Sequence, residues 1–322
     1  MKKIIIIAIL SMLGLSVHAQ ISELVRQGNV TQLMHGGKPF IILGGELANS
    51  SASSSEYMDQ RGTWEYLAES GVNTVLAPVY WEMTEPEEGR FDFSSVDYLL
   101  KSARANGQKL IILWFGTWKN SLSCYVPSWV KRGFGKEFEL AKNSDGNVPE
   151  IMSAFSERNV RADAKAFAAL MKYLKKADSS EGTVLMVQVE NEYGSYGNDK
   201  DYLRAILGVY RENGIDSLFF TSDGAMYTML SGGTLDECLA TANFGTSPKK
   251  EFAIMRELFP DRPLMCAEYW CGEYAHWWEE QKDRDPELLY QGVHEFSELG
   301  ASFNFYMFHG GTNFGFESGA NY

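Results

Sequence analysis

Eight short, nearly continuous apolar runs punctuate the chain, at residues 40–43, 74–77, 110–114, 184–187, 218–220, 240–244, 264–267 and 303–307. Runs of this kind suit strands buried on both faces, as in a parallel sheet, because a strand with one wet face alternates apolar and polar residues. The intervening segments change period. Val160, Ala164, Phe167, Met171 and Leu174 recur at spacings of four, three, four and three, which places one apolar stripe along one side of a helix. Asp285-Pro286-Glu287 predicts a second helix start, with Asp as N-cap and Pro in the first turn, and Leu289, Val293 and Phe296 along its buried side as far as Gly300. Strand and helix repeated about eight times predict an α/β fold, the (β/α)8 barrel. An open doubly wound sheet is the rival, but it usually has fewer strands and a phosphate-binding glycine loop, which the sequence lacks. The stretch 114–159, rich in Ser, Gly and Lys, reads as a loop insertion on the side where barrels hold their sites.

The first residues change the picture of where the chain works. Lys2 and Lys3 precede a 14-residue, mostly apolar run from Ile4 to Val17, and Val17-His18-Ala19 offers small residues where a signal peptidase reads. Residues 1–19 are therefore expected to be a signal peptide, with residues 20–322 an exported barrel domain in the periplasm or outside the cell. No Cys follows the cleavage point to carry a lipid, and no later run is long enough to span a bilayer. Export permits disulfides among Cys124, Cys238, Cys266 and Cys271, but buried thiols packing as small hydrophobes are an equally open reading.

Composition narrows the partners. With 45% hydrophobic and 13% aromatic residues, the 322-residue chain has the material for a large core. Its 29 basic residues against 42 acidic ones give a net charge of -13, which removing Lys2 and Lys3 only deepens. Nucleic acid and anionic membrane bind through clustered Lys and Arg, so a neutral ligand fits better. No metal is expected, since the histidines outside the leader (His35, His276, His294, His309) lie far apart and neither His-Glu-x-x-His nor Cys-x-x-Cys occurs. No cofactor is expected either, because the dinucleotide, phosphate-loop and Gly-x-Ser-x-Gly patterns are all missing. Oligomeric state is not readable from the sequence.

In a barrel the chemistry gathers at the C-terminal ends of the strands. The fourth run continues into Val189-Glu190-Asn191-Glu192-Tyr193-Gly194, and the seventh into Glu268-Tyr269-Trp270. Two carboxylates facing each other across a barrel mouth are what cleavage of a glycosidic bond requires. One protonates the leaving oxygen, and the other attacks or stabilises the oxocarbenium-like carbon; a separation of about 5–5.5 Å would mean retention through a covalent intermediate. Trp81, Trp118, Trp270, Trp277 and Trp278 could present apolar rings to a sugar, although most barrel aromatics are packing residues. Glu82 and Lys119-Asn120, after the second and third runs, are candidates for binding hydroxyls.

The stretch Gln188-Val189-Glu190-Asn191-Glu192-Tyr193-Gly194-Ser195-Tyr196 closely resembles the acid/base signature of glycoside hydrolase family 35, the β-galactosidases. Thr221-Ser222-Asp223-Gly224, Asn243-Phe244-Gly245-Thr246, Gly300-Ala301-Ser302 and Gly310-Gly311-Thr312-Asn313-Phe314 resemble the same family in the same order. The resemblance implies a retaining exo-β-galactosidase acting on terminal galactosyl residues of a carbohydrate substrate, with Glu192 as acid/base and Glu268 as nucleophile. It further implies that Asn191 binds the sugar 2-hydroxyl and that Tyr306 directs its hydroxyl at nucleophile and sugar; Glu82, Trp118 and Asn120 are further candidate substrate contacts by their positions after the second and third runs. Two departures bear on this. Gly116-Thr117-Trp118-Lys119-Asn120-Ser121 replaces a Cys-Ala-Glu segment that contacts galactose in common members, and Glu273 stands where a Trp is frequent. The chain is also expected to lack the last barrel helix and the accessory β-domains of family members. These departures keep two alternatives in view: a glycan-binding barrel with little turnover, and a retaining β-glycosidase for another sugar. The paired glutamates favour an enzyme, since a binder has no need of two opposed carboxylates.

Overall fold

A computed structural model of the chain describes residues 22–49, 54–117, 125–142, 145–148, 151–213, 218–273, 275 and 278–309. The expected leader, Trp118, Asn120, Cys124, Trp277 and the glycine-rich 310–314 stretch lie outside the described residues. The fold opens with three antiparallel strands, β1 (Ser22–Gln27), β2 (Val30–His35) and β3 (Lys38–Pro39). Eight parallel strands follow: β4 (Leu43–Leu47), β5 (Thr74–Tyr80), β6 (Lys109–Phe115), β7 (Val184–Gln188), β8 (Leu218–Gly224), β9 (Leu239–Phe244), β10 (Met265–Trp270) and β11 (Ser302–His309). They hydrogen-bond in sequence order and close, β11 against β4, into a barrel. The connecting helices are α1 (Ser55–Arg61), α2 (Thr63–Glu69), α3 (Trp81–Thr84), α4 (Ser94–Ala105), α5 (Ser128–Lys131), α6 (Glu157–Ala177), α7 (Lys200–Glu212), α8 (Tyr227–Gly233), α9 (Pro248–Leu258) and α10 (Pro286–Leu299). The chain is a (β/α)8 barrel.

The strands are largely apolar because most positions on both faces are buried, yet the two faces go to different cores. Along β6, Ile111, Leu113 and Phe115 fill the barrel interior with Leu76, Leu185, Phe220, Leu239 and Met265. Leu110, Ile112 and Trp114 pack outward with Val96, Leu99, Phe167 and Leu170. Leu33 of β2 joins Ile42 in the interior cluster, so the small sheet contributes to the barrel's inner core. Helix α10 starts as the sequence predicts, with Asp285 Oδ1 accepting from the Glu287 amide, and stops at Gly300, whose left-handed φ of 61° suits glycine.

Two readings of the sequence need correcting. The first barrel strand is Leu43–Leu47, not the apolar run 40–43. Its Gly44-Gly45-Glu46 core hides the strand from a hydrophobicity reading, and the glycine has a packing reason: a Cβ on Gly44 would come within 2.9 Å of the Asn304 side chain on β11. The described part of the 114–159 insertion is also more than a loop, since it holds helix α5 and a buried cluster. Tyr125, Val126, Val130, Phe138 and Met152 are buried there, and Asn159 at the start of α6 donates its amide to the carbonyls of Glu139 and Ser153. The described cysteines, Cys238, Cys266 and Cys271, are free thiols, the first two buried.

Candidate active site

Inward alternation along the strands carries polar groups to the C-terminal mouth: Glu46 from β4, Ser222 from β8, Asn243 from β9, and Asn304 and Tyr306 from β11. On β10 alternation alone would fail. Met265 and Ala267 belong to the interior cluster and Cys266 to the outer one, so a regular strand would send Glu268 outward with Cys266. A β-bulge intervenes. Cys266 pairs with Ala242 and Glu268 with Asn243, two residues of β10 against one of β9, and the register against β11 shifts at the same place. The extra residue returns Glu268 to the mouth and sends Tyr269 outward, fully buried, onto Phe244 and Phe296.

Past the end of β7 the backbone turns sharply. Glu190 and Glu192 both have left-handed φ, 57° and 53°, which is uncommon for residues bearing a Cβ. Val189 and Glu192 donate their amides to the carbonyls of Phe220 and Ser222, holding the segment against β8. Gly194 then donates its amide to Asp223 Oδ1 at 2.7 Å, and a Cβ there would lie 2.0 Å from the Met229 carbonyl oxygen, so the turn admits only glycine.

The consequence is a connected set of groups. Asn243 donates from Nδ2 to Glu192 Oε1 at 2.8 Å, while its Oδ1 accepts from the Ser222 hydroxyl at 2.7 Å and the Glu268 amide at 3.1 Å. One asparagine thus ties one glutamate's carboxylate to the other's backbone. The Glu268 carboxylate accepts from Asn191 Nδ2 at 3.5 Å on one oxygen and from Trp270 Nε1 at 3.2 Å on the other. Tyr306 is paired in register with Trp270 on the neighbouring strand. Burial, with Glu268, Glu46 and Glu192 nearby, holds its phenol well above the ordinary range, so it stays a donor at any working pH. Glu46, almost fully buried, accepts from Asn304 Nδ2 at 3.0 Å.

Of the residues singled out from the sequence, Asn191, Glu192, Glu268 and Tyr306 come together. Glu82 sits on α3 with its carboxylate 3.7 Å from Lys131 Nζ. Trp81 is fully buried and donates to Glu85, a packing role, whereas Trp270 is 38% exposed beside Glu268. Asn243 and Glu46 join those four at the mouth without being candidates from the sequence. The signal for Asn243 was available, a lone amide at the end of the apolar run 240–244 in the inward phase; the bulge on β10 leaves no such trace. Among the described residues no group of His, Cys, Asp or Glu is arranged to hold a metal, and no helix is long and apolar enough to cross a membrane.

Two carboxyls near the turn give the fold a pH dependence. Burial pushes Asp223 up to about 7, helped by Glu192 and opposed by the Gly194 amide and Lys200. Burial likewise pushes Glu190 up to about 8, against the hydrogen bond from Tyr202. Each holds its proton in the folded state after the unfolded chain has released it, so each loses stability as pH rises to its folded value. Burial and Lys109 lower His35 to about 4, which works the other way but is complete by about pH 6.5. Above about pH 6.5, Asp223 acts unopposed by it up to about pH 7 and Glu190 up to about pH 8. The melting temperature is expected to fall across that window, each group contributing at most about 1.4 kcal/mol per pH unit. Thermal melts at stepped pH check this; a rise over the same range would contradict it.

Two glutamates joined through hydrogen-bonding amides at a barrel mouth match the pair of carboxyls that glycosidic-bond cleavage uses. The chain belongs to glycosyl hydrolases family 35, whose model matches residues 32–322. It is 34% identical over 303 residues to a beta-galactosidase of Xanthomonas manihotis, covering 91% of this chain and 47% of that protein. It is 32% identical over 290 residues to the beta-galactosidase-1-like protein 3 of Rattus norvegicus, covering 88% and 43%. The chain therefore spans under half the length of these relatives. Among solved structures it is similar in fold to an exo-beta-1,4-mannosidase from Opitutaceae bacterium strain TAV5, with a TM-score of 0.60 at 15% identity over 84% of this chain and 52% of that one. It is also similar to endo-glycoceramidase II from Rhodococcus, with a TM-score of 0.57 at 12% identity over 82% and 73%.

Proposed function

We propose that the protein is a retaining exo-β-galactosidase that removes terminal non-reducing β-D-galactosyl residues from oligo- or polysaccharides. The observation that carries this reading is the linkage of Glu192 to Glu268 through Asn243 at the barrel mouth, in a chain of this family. Glu192 gives its proton to the glycosidic oxygen as the bond to the anomeric carbon breaks. A Glu268 carboxylate oxygen forms the new bond to that carbon, producing a glycosyl ester. Glu192, now anionic, takes a proton from water; the hydroxide oxygen attacks the anomeric carbon, and the Glu268 carboxylate leaves.

The surroundings suit the sequence of charges. Asn191 and Trp270 donate to Glu268 while it is anionic, and the phenol of Tyr306, kept protonated by its neighbours, is a further donor in the same place. Trp270, partly exposed, offers an indole face to the apolar side of the ring. Galactose is the sugar on the strength of the relatives, although segment 116–121 differs from the common pattern. A screen of nitrophenyl glycosides tests it: the β-galactoside is expected to be the best substrate, and a clear preference for a β-glucoside or β-fucoside would remove the sugar assignment alone.

A further inference from the structure

The half-buried Glu190 has no part in that reaction. It is two residues from Glu192, and in an extended strand the two would share a face, with Asn191 opposite. The contacts are arranged otherwise. Glu190 reaches away from the mouth to α7, where its Oε1 accepts a hydrogen bond of 2.6 Å from the Tyr202 hydroxyl, while Asn191 and Glu192 both reach the mouth groups. Consecutive side chains can do this only because the left-handed backbone at Glu190 and Glu192 breaks the alternation. That conformation is costly for residues with a Cβ and persists where the surroundings enforce it.

The backbone bonds to β8 lie on either side, at Val189 and Glu192. Between them, the Glu190 side chain carries an anchor to the helix layer. Its partner is itself fixed: the Tyr202 amide donates to the N-cap Asp199, and the Tyr202 ring lies 5.2 Å from that of Tyr193, the residue after Glu192. Tyr202 thus contacts the chain on both sides of Glu192.

We propose that Glu190 is a positioning residue for the acid/base, its carboxyl clamped by Tyr202 so that the turn presents Glu192 to the leaving-group oxygen. The proposal rests on the reading of Glu192 as acid/base. The groups facing Glu190 are Tyr202 and Tyr210 of α7, Asp163 of α6 and Tyr193 of the turn. Burial raises Glu190 to about 8, so at neutral pH it is an uncharged anchor that adds no second anion beside Glu192.

The test is a leaving-group series of aryl β-galactosides on the wild type, E190A, E190Q, Y202F and E192A, with melting temperatures measured alongside. A misplaced acid hurts poor leaving groups most. E190A is expected to lose about tenfold more kcat/KM, which reads the first step, on the phenyl than on the 2,4-dinitrophenyl galactoside, with azide restoring part of the loss in kcat on the activated substrate. E190Q, which keeps an uncharged acceptor for Tyr202, is expected to recover most of what E190A loses. A loss of equal size across the series, or E190Q as damaged as E190A, would overturn the proposal. Should E190A fail to fold, Y202F is read on the same series: a steeper dependence supports the clamp, and a parallel loss overturns it. If E192A itself shows no leaving-group dependence, the acid/base reading fails first; if E192A shows it and the Glu190 and Tyr202 variants do not, only the clamp fails.

Discussion

Replacing the Glu268 carboxylate by an amide, in Glu268→Gln, is expected to lower turnover by about 10⁴-fold or more on every substrate, whatever its leaving group. The amide cannot form the glycosyl ester, so both halves of the double displacement are lost together. Folding should survive. The backbone amide that bonds Asn243 is untouched, and Gln can still accept from Asn191 or Trp270 through its one carbonyl oxygen. Steady-state kinetics with matched melting curves check the claim; a variant that keeps a tenth of wild-type activity would show that Glu268 is not the nucleophile.

The second large effect is selective. Glu192→Ala is expected to slow substrates with poor leaving groups by about 10²–10⁴-fold while sparing activated ones in the first step, because a dinitrophenolate departs without a proton. Azide, small enough to enter the space left by the carboxylate and needing no base, should speed the second step and yield a glycosyl azide. Equal loss on all substrates with no azide product would remove Glu192 from the role. The contrast between the two variants matters more than either magnitude, since damage to the shared Asn243 network would lower both without a leaving-group pattern.

Much of the architecture was legible in the chain because double burial writes strands as uninterrupted apolar runs. The run 110–114 and the Val160 to Leu174 stripe fall inside β6 and α6. Where the backbone serves the site, that code breaks down. Strand β4 carries Gly44 where Asn304 approaches, Gly45 where Leu67 and Phe308 approach, and Glu46 whose carboxylate meets Asn304, and these residues do not read as a buried strand. The segment Glu190-Asn191-Glu192 shows two glutamates in one phase, yet the left-handed turn sends one to Tyr202 and the other to Asn243. Residue order alone does not say which faces the sugar; the family resemblance pointed to Glu192. The bulge at Glu268 is the same lesson on the other side of the mouth, since an extra residue in a ladder is a property of pairing and not of composition. Asp163 shows the converse. It lies on the buried side of α6, where a periodicity reading expects an apolar residue, because the Trp114 indole and the Thr117 amide both donate to it.

Double displacement at a galactosyl carbon by a Glu192–Glu268 pair is tested most directly by the configuration of the first product. Proton NMR of a β-galactoside digest, followed from the first turnovers and faster than mutarotation, should show the β-anomer of galactose appearing first, with the α-anomer growing later toward equilibrium. Initial formation of the α-anomer would mean single displacement by water, and would contradict the assignment of Glu268 as nucleophile.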